Sequence, residues 1–428
     1  MTPRVLIVSP HFPPVNAPDM QRVRMSLPHF IETGWQVTVL TVDDPTPLAP
    51  LEPELLTTLP DAVKVVRAHC CSRRWTRWLG VNNVALRSLP FLFLAGCRAL
   101  AGSRYDVVYF STTQFIVLPF GRIWRRLYGV PYVIDLQDPW VTDFYERPGA
   151  PRPPGGWKYR VARGLGRMLE GWSMGRVGHL ITVSASYAET LRSRYPNNRP
   201  FPSTELPFAS PDLDLAHLRA TLATRPRVLP GYGINLAFAG ALGPGMLGPV
   251  EVLFAALREL REQGVPVSVH FYGTSYASAE NSQPATLALA TRHGLTSCVH
   301  EHPGRLPYYR ALQVTLEADI NLLFGSTDLA FTPSKILAVL AAGRPLLAIA
   351  YRESAMAARL ARLDLPCILL SAGTASSADG PAVKATLDSL RTLIEQRPSP
   401  AFPSAAFSSA SLAAAQRDIL ASVSGARP

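Results

Sequence analysis

The chain has 428 residues, of which 47% are hydrophobic and 17% are charged, and its formal net charge at pH 7 is +11. This length and balance are typical of a globular protein with two cores, and they exclude a disordered chain. The basic excess lies mainly in residues 1–205, which carry 24 Lys and Arg against 15 Asp and Glu. Such an excess suits an anionic partner, whether nucleic acid, a membrane surface or a substrate.

The N-terminal residues MTPRVLIVSPHFPP contain no long apolar region and no small-residue cleavage site, so we predict no signal peptide and a cytoplasmic protein. The longest uncharged apolar run, residues 89–97, is too short to span a bilayer. The five cysteines show no metal-ligand spacing. We therefore expect reduced thiols and no metal site.

The first half of the chain alternates apolar strands with helical patterns, which predicts an α/β domain with a parallel sheet. The predicted strands are residues 5–9, 35–41, 105–110, 131–135 and 180–183. The predicted helices are residues 20–33, 115–128 and 184–194. Residues 196–233 are rich in Pro, Arg and Asn and show no periodicity, and residues 206–233 are predicted to be a linker region.

A second α/β pattern follows the linker. Its predicted strands are residues 235–239, 267–272, 318–324 and 346–350, and its predicted helices are residues 250–263, 285–293 and 332–342. An amphipathic piece near residues 411–423 lies in the Ala- and Ser-rich tail. The sequence thus predicts two α/β domains of similar plan.

The stretch TPSKILAVLAAGRP, residues 332–345, is predicted to be the helix of a β-α-β unit. Thr332 suits the N-cap, Pro333 suits the first helical position, and Gly343 is a stop signal. A helix start of this kind presents free backbone N–H groups, with Ser334 and Lys335 beside them. We therefore predict a phosphate site here.

Six segments together resemble bacterial retaining glycosyltransferases of the family 4-like group. They are HFPPVNAPDMQRVRMSLPHFIETGWQVTVLT, YDVVYF, YVIDLQDPW, ITVSASYAETL, FAGALG and TPSKILAVLAAGRPLLA. The resemblance implies the GT-B architecture, in which two Rossmann-like domains face each other across a cleft. It implies an acceptor-side domain of residues 1–205, the linker region 206–233 and a nucleotide-sugar domain of residues 234–390. Residues 391–428 would form a tail that packs back on the first domain.

The resemblance also implies roles for individual residues. The donor diphosphate would rest on a helix start and a glycine loop, formed by Thr332, Ser334, Lys335, Gly240, Gly243 and Gly245. The acceptor side would include the loop of residues 11–19 and the stretch after the strand 132–135, with His11, Asn16, Gln137, Asp138 and Trp140. No cofactor or metal is implied, because the nucleotide sugar is a cosubstrate.

The chain departs from the family pattern at three places. Many members carry a Glu-x7-Glu pair that binds the donor ribose, whereas this chain has Ala330 and Ala338, with Asp328 nearby as a possible substitute. The arginine after the first strand of the second domain is missing from ALGPGMLG, and NAPD replaces the paired glycines of the first loop. These departures bear on donor chemistry rather than on the fold.

Several motifs have a second interpretation. Gly243, Gly245 and Gly248 form a G-x-G-x-x-G pattern, but no acidic residue follows the next strand to bind an adenine ribose, which argues against NAD. Lys335 is interpreted as a side chain that binds phosphate rather than as a solvated lysine. Asp138 could orient or deprotonate an acceptor hydroxyl or cap a turn, and His11 could contact the sugar or close its loop.

Two further residues are interpreted as structural. His270 lies within a predicted strand, where a histidine with satisfied hydrogen bonds is expected. Arg305 is interpreted as a surface arginine rather than a donor contact.

Aromatic and basic residues alternate in residues 73–100, 121–128 and 157–172. This composition favours contact with an anionic membrane surface, although buried aromatics with a rim of solvated arginines would give the same pattern. No nucleic-acid-binding module is recognisable. We expect a peripheral protein on the inner face of the plasma membrane.

Together with the residue patterns, the resemblance implies a metal-independent retaining glycosyltransferase. It would move a sugar from a nucleotide-diphosphate donor to a glycan or polyprenyl-linked acceptor in cell-surface polysaccharide synthesis. Two alternatives stay open at this point. One is a nucleotide-sugar epimerase of the same fold, and the other is a non-catalytic nucleotide-sugar-binding paralogue, which the missing Glu pair favours.

Overall fold

The computed structural model describes residues 2–143, 145, 156–275, 284–329, 331–333, 335–371 and 380–425. The strands are β1 Arg4–Val8, β2 Gln36–Asp43, β3 Lys64–His69, β4 Val107–Ser111, β5 Tyr132–Leu136, β6 His179–Thr182, β7 Ser203–Glu205, β8 Ile234–Ala239, β9 Val267–Tyr272, β10 Val299–His302, β11 Ile320–Phe324, β12 Leu346–Tyr351 and β13 Ile368–Leu370.

The helices alternate with these strands along most of the chain. They are α1 Gln21–Glu32, α2 Arg73–Thr76, α3 Val84–Gly102, α4 Pro119–Tyr128, α5 Trp157–Met174, α6 Ala185–Arg194, α7 Asp212–Thr221, α8 Leu247–Glu262, α9 Leu287–Arg292, α10 Tyr308–Glu317, α11 Ile336–Ala341, α12 Ala355–Arg362, α13 Gly380–Gln396 and α14 Ser409–Ser424.

The chain forms two compact units, each built on one sheet. The first unit comprises Met1–Ala209 with Ser408–Pro428, and the second comprises Ser210–Phe407. The first sheet has the strand order β3-β2-β1-β4-β5-β6-β7, and the second has the order β10-β9-β8-β11-β12-β13. All the pairings are parallel. The expectation of two parallel α/β domains is confirmed.

The boundaries differ from those expected from composition. Residues 210–233, which fall within the predicted linker, contain α7 and belong to the second unit. Leu215 and Leu218 of α7 are fully buried, because apolar residues three positions apart share a helix face. The second unit continues through α13 to Phe407, beyond the expected end at residue 390. Only the last segment, with α14, groups with the first unit.

Helix α14 is part of the core of the first unit. Ala413 and Leu420 are buried in the same cluster as residues of β1, β2 and β4. Gln416 donates from Nε2 to the hydroxyl of Tyr109 on β4 at 2.9 Å. The last described helix therefore covers one face of the first sheet, together with α1.

The opposite face of the first sheet is covered by α3, α4 and α5. By length and composition alone, α3 is the one described helix that could cross a membrane. The apolar run of residues 89–97 is flanked by Arg87 and Arg98, and the helix extends past both of them. Arg87 lies inside it, buried and paired with Asp44. Gly96 lets α3 approach α4, because a Cβ there would be 2.2 Å from the Trp124 ring.

The helix predicted to start at Thr332 starts later. It is the six-residue helix α11, whose N-cap position is Lys335, and no side chain caps it. The backbone N–H of Ile336 reaches the carbonyl of Pro333 at 3.3 Å in a turn. Residues 331–333 are not helical, and the Lys335 side chain donates to Ala239 O on β8. The predicted helix start at Thr332 is therefore wrong, although Gly343 follows the helix with a φ of 71° as expected.

Candidate active site

The second unit has a pocket at the carboxyl ends of β8 and β11. The chain runs from β8 outward to β9 and β10, then returns to β11 on the other side of β8, so strand order reverses at this point. Ligands of open parallel sheets bind at such switch points. The pocket has a volume of about 170 Å³, and its lining includes Ala239, Gly240, Phe331, Thr332 and Lys335.

Lys335 brings a cation into this pocket. Its Nζ donates to the carbonyl oxygen of Ala239, the last residue of β8, at 2.6 Å. A Cβ at position 240 would be 2.9 Å from this nitrogen, so Gly240 leaves the space that the ammonium occupies. Burial of the ammonium and repulsion from Arg305 lower the pKa of Lys335 to about 8, although much of its side chain is exposed. Arg305 is exposed, as interpreted from the sequence, and its positive charge acts on Lys335.

The glycine loop differs in part from the expectation. The N–H of Gly240 is already bonded to Tyr272 O at 2.8 Å, so it is not free for a phosphate. Gly243 and Gly245 do not line the pocket. A Cβ at Gly245 would be 2.5 Å from Thr327 Oγ1, so this glycine is needed for packing of the loop after β11. Gly243 has open space around it.

The remaining donor-side residues have different positions. Thr332 lines the pocket, whereas Asp328 is exposed on the loop after β11 and does not line it. The structure therefore does not support Asp328 as a substitute ribose ligand within the pocket. Ser334 and Ala330 lie outside the described residues.

The first unit repeats this arrangement between β1 and β4, where its strand order also reverses. The loop after β1 carries His11 and Asp19, and Nδ1 of His11 lies 2.9 Å from Oδ1 of Asp19. The other carboxylate oxygen of Asp19 accepts from Thr112 Oγ1 at 2.8 Å and from the N–H of Thr113 at 3.2 Å. Asp19 is only 2% exposed. It fixes the histidine against the end of β4.

These contacts also set the charge state of Asp19. Burial alone would raise its pKa, but the bonds to His11, Thr112 and Thr113 outweigh burial and lower it below the ordinary value. Asp19 is thus a carboxylate at neutral pH. Sequence reasoning did not single it out, because nothing in the spacing of the NAPD loop shows that it folds back on His11.

Gln137 and Asp138, after β5, belong to the same cluster. Gln137 is buried and donates from Nε2 to the carbonyl of Asp19 at 2.8 Å and to Ser111 Oγ at 3.1 Å. Partial burial of the Asp138 carboxyl and repulsion from Asp19 raise the pKa of Asp138. His11, Gln137 and Asp138, which the sequence indicated separately, therefore meet around Asp19.

Two predicted acceptor-side residues have structural contacts instead. Asn16 donates from Nδ2 to Glu52 Oε1 at 2.7 Å and accepts from Gln21 Nε2 at 3.3 Å. It is 3% exposed, so it holds the loop in place rather than facing a ligand. Trp140 stacks on Phe115 with ring centroids 5.8 Å apart.

A second pocket, of about 250 Å³, adjoins His11 in the first unit. Its lining presents several amide groups, among them Asn82, Asn83 and Gln114. The Gln114 Oε1 atom is buried, and no described residue bonds it. Arg87 also lines the pocket, and its guanidinium is bidentate with Asp44, one bond being 2.9 Å long. This pocket therefore combines a histidine with amides, a set of groups that can hydrogen-bond a polyhydroxylated ligand.

His270, in β9 of the second unit, makes structural contacts, as expected. His270 Nε2 lies 2.9 Å from Asn235 Oδ1, and the ring stacks on His300. Burial and repulsion from neighbouring histidines lower its pKa to about 4. Within the described ranges, no group of three or more His, Cys, Asp or Glu is arranged to hold a metal ion.

Residues 21–202 match the family described as Glycosyl transferase 4-like domain. No curated protein sequence is significantly similar to the chain. The fold is similar to that of sucrose-phosphate synthase from Thermosynechococcus elongatus, at 15% identity, with a TM-score of 0.57 over 99% of this chain and 100% of that one.

Two other solved structures share the fold. Anabaena HepE in complex with UDP aligns at 15% identity with a TM-score of 0.55, over 98% of this chain and 100% of that one. Trehalose 6-phosphate synthase from Burkholderia multivorans aligns at 12% identity with a TM-score of 0.58, over 99% and 100%.

The two parallel sheets and these similarities define a protein of the GT-B fold. Within the first unit, residues 21–202 are similar to the glycosyl transferase 4-like domain.

Proposed function

We propose that the protein transfers a sugar from a nucleoside-diphosphate sugar, with UDP as the first candidate nucleotide, to a glycan or lipid-linked acceptor. The observation that carries this proposal is the Lys335 ammonium, which donates to Ala239 O and lines a pocket at the switch point of the second sheet. A cation in such a place suits a diphosphate. HepE, which shares the fold, was solved with UDP and with UDP-glucose, and this supports the choice of nucleotide.

In this proposal, the donor pocket stabilises the leaving group. As the glycosidic bond to the diphosphate breaks, negative charge grows on the departing phosphate oxygen. Lys335 would exchange its bond to Ala239 O for that oxygen, and Arg305 would add positive charge nearby. Retention of configuration is the outcome we expect. The transfer needs no metal in this proposal, because two cationic side chains serve the diphosphate.

The acceptor would bind in the first unit, at the pocket beside His11. Asn82, the Nδ2 group of Asn83 and the Gln114 Oε1 atom, which no described residue bonds, offer donors and acceptors to sugar hydroxyls. Asp19 orients His11 toward the reacting groups, and Asp138, whose pKa is raised, is the candidate to accept an acceptor hydroxyl proton. A role in cell-surface polysaccharide synthesis follows if the acceptor is a lipid-linked glycan.

Calorimetric titration with UDP, GDP, TDP and ADP tests the donor site. We expect selective binding of one nucleotide, weakened by roughly 10- to 150-fold in Lys335→Ala, which corresponds to the loss of a charge-assisted hydrogen bond of about 1.5–3 kcal/mol. Lys384→Ala, which removes an exposed lysine of α13 in the same unit, is the matched control and should bind normally. Equal binding by Lys335→Ala and the control would contradict the proposal. Conversion of the nucleotide sugar without any acceptor would identify an epimerase instead.

The affinity for the nucleotide should depend on pH through Lys335. Its pKa in the free protein is about 8. The diphosphate favours the charged ammonium, so affinity should fall as pH rises through that value, by roughly tenfold between about pH 7 and pH 9. Lys335→Arg, which keeps a positive charge throughout this range, should flatten the profile. A wild-type profile as flat as that of Lys335→Arg would refute the role given to the lysine.

A further inference from the structure

Helix α5 exposes its apolar side to solvent and turns its polar and small residues inward. A surface helix normally packs its apolar stripe against the core. Here the exposed side chains recur at intervals of three and four residues. They are Trp157, Val161, Leu165, Met168 and Trp172, with exposed fractions of 66, 60, 48, 62 and 38%. At 3.6 residues per turn these five lie within an arc of about 80° and form a stripe about 22 Å long.

The inward side of α5 explains why the stripe faces out. Glu170 is 1% exposed and accepts from Arg194 Nη1 at 2.8 Å and from the Tyr195 hydroxyl at 2.7 Å. Gly171 packs so closely on the ring of Tyr195 that a Cβ would be 2.7 Å from it. The helix is therefore fixed through its polar and glycine positions, and a rotation that buried the apolar stripe would place Glu170 in contact with water without its partners.

Positive charge borders the stripe. Arg160 and Arg167 are exposed on one side of it, since they lie about 100° and about 120° around the helix from its centre. On α4, which packs beside α5, Arg126 is exposed and Leu127 is 58% exposed. The guanidinium of Arg122 lies over the ring of Trp172 at 4.8 Å. The acidic residue of α5, Glu170, is buried, and α4 has none.

Helix α3 continues the same layer. Its Phe93 stacks on Trp124 of α4, with ring centroids 6.0 Å apart. Leu86 and Leu94 of α3 are 46% and 49% exposed, and the helix has no acidic residue. Phe91 and Phe93 pack against the core, so they do not belong to the exposed surface expected from the sequence. Trp75 and Trp78, which were part of the same expectation, are 80% and 81% exposed.

We propose that the outward face of α5, with Trp157, Val161, Leu165, Met168 and Trp172 at its centre, docks on the surface of an anionic lipid bilayer. Apolar and tryptophan side chains beside arginines suit the boundary between headgroups and acyl chains. Each arginine near an anionic surface contributes about 1 kcal/mol of attraction. A symmetric pair of such faces would bring like charges together, which disfavours a second copy of the chain as the occupant. This docking does not depend on the nucleotide proposed as the donor.

Vesicle flotation with the full chain tests the docking face. We expect binding to vesicles of phosphatidylglycerol and phosphatidylcholine that weakens with added salt, and little binding to phosphatidylcholine alone. Val161→Glu should lower the bound fraction at least tenfold, because it places a carboxylate in the middle of the stripe. Leu287→Glu, at a leucine of α9 that is 57% exposed in the second unit, is the matched control and should bind like the wild type.

Three outcomes would overturn the proposal. They are absence of binding to the anionic vesicles, equal binding by the Val161→Glu and control variants, and a dimer in sedimentation velocity that Val161→Glu dissociates, since the face would then join two copies. Calorimetry with UDP on the same variants distinguishes a loss of membrane binding from a loss of nucleotide binding at the donor site. Val161→Glu should keep the nucleotide affinity of the wild type, which also shows that the variant is folded.

Discussion

Replacing Asp135 with alanine is expected to lower the free energy of unfolding of the first unit by about 3–5 kcal/mol. Asp135 on β5 and Arg22 on α1 are both fully buried, and Arg22 Nε lies 3.3 Å from Asp135 Oδ2. The same oxygen accepts from the Tyr109 hydroxyl at 2.8 Å and from Ser111 Oγ at 2.7 Å. Without the carboxylate, the guanidinium of Arg22 stays in the interior with no opposite charge, which is the reason for the large loss.

Thermal and chemical unfolding measure this loss. The melting temperature is expected to fall by roughly 6–20 °C for a unit of this size. Glu32→Ala is the matched control, because Glu32 pairs with His29 at the surface and is 67% exposed. It should change stability by less than about 1 kcal/mol. The double variant Asp135→Ala with Arg22→Met should lose less than the sum of the single losses. Strict additivity would show that the pair does not act as a unit.

Replacing Asp19 with asparagine is expected to reduce sugar transfer on the order of 10²-fold while leaving nucleotide binding unchanged. Asparagine matches the shape of aspartate and can still accept from Thr112 and Thr113, so the loop should keep its fold. The atom that meets Nδ1 of His11 would become an amide donor in place of an acceptor. The ring would then lose the orientation that we propose for catalysis, and small misplacements of reacting groups cost about this much.

Steady-state kinetics with the identified donor, together with calorimetry, check this result. The loss should appear in kcat, because Asp19 lies in the first unit and the nucleotide pocket lies in the second. Asp61→Asn, at an exposed carboxylate of the same unit, is the control and should keep the wild-type rate. A fall in nucleotide affinity with unchanged kcat would assign Asp19 a purely structural role.

The nine inner strands of the two sheets were predictable from the sequence, because parallel strands buried on both faces are short, nearly continuous apolar runs. The edge strands β3, β7, β10 and β13 were not predicted. The strands at residues 235–239 and 346–350 were predicted from their own apolar runs alone. Helix α3 was not found, because Arg87 and Arg98 interrupt its apolar pattern. Only the tertiary structure supplies Asp44, which lets the interior hold the charge of Arg87.

The sequence by itself determined the fold class, two parallel α/β domains, and it pointed to Lys335 and His11. Local patterns carry this information, since strand periodicity and turn residues act over a few positions. The tertiary structure alone decided which groups meet. It placed Asp19 against His11, turned Asn16 toward Glu52, and moved the start of α11 beyond Thr332. It also turned the apolar side of α5 outward, because the buried contacts of Glu170 involve residues 24 and 25 positions away in the chain.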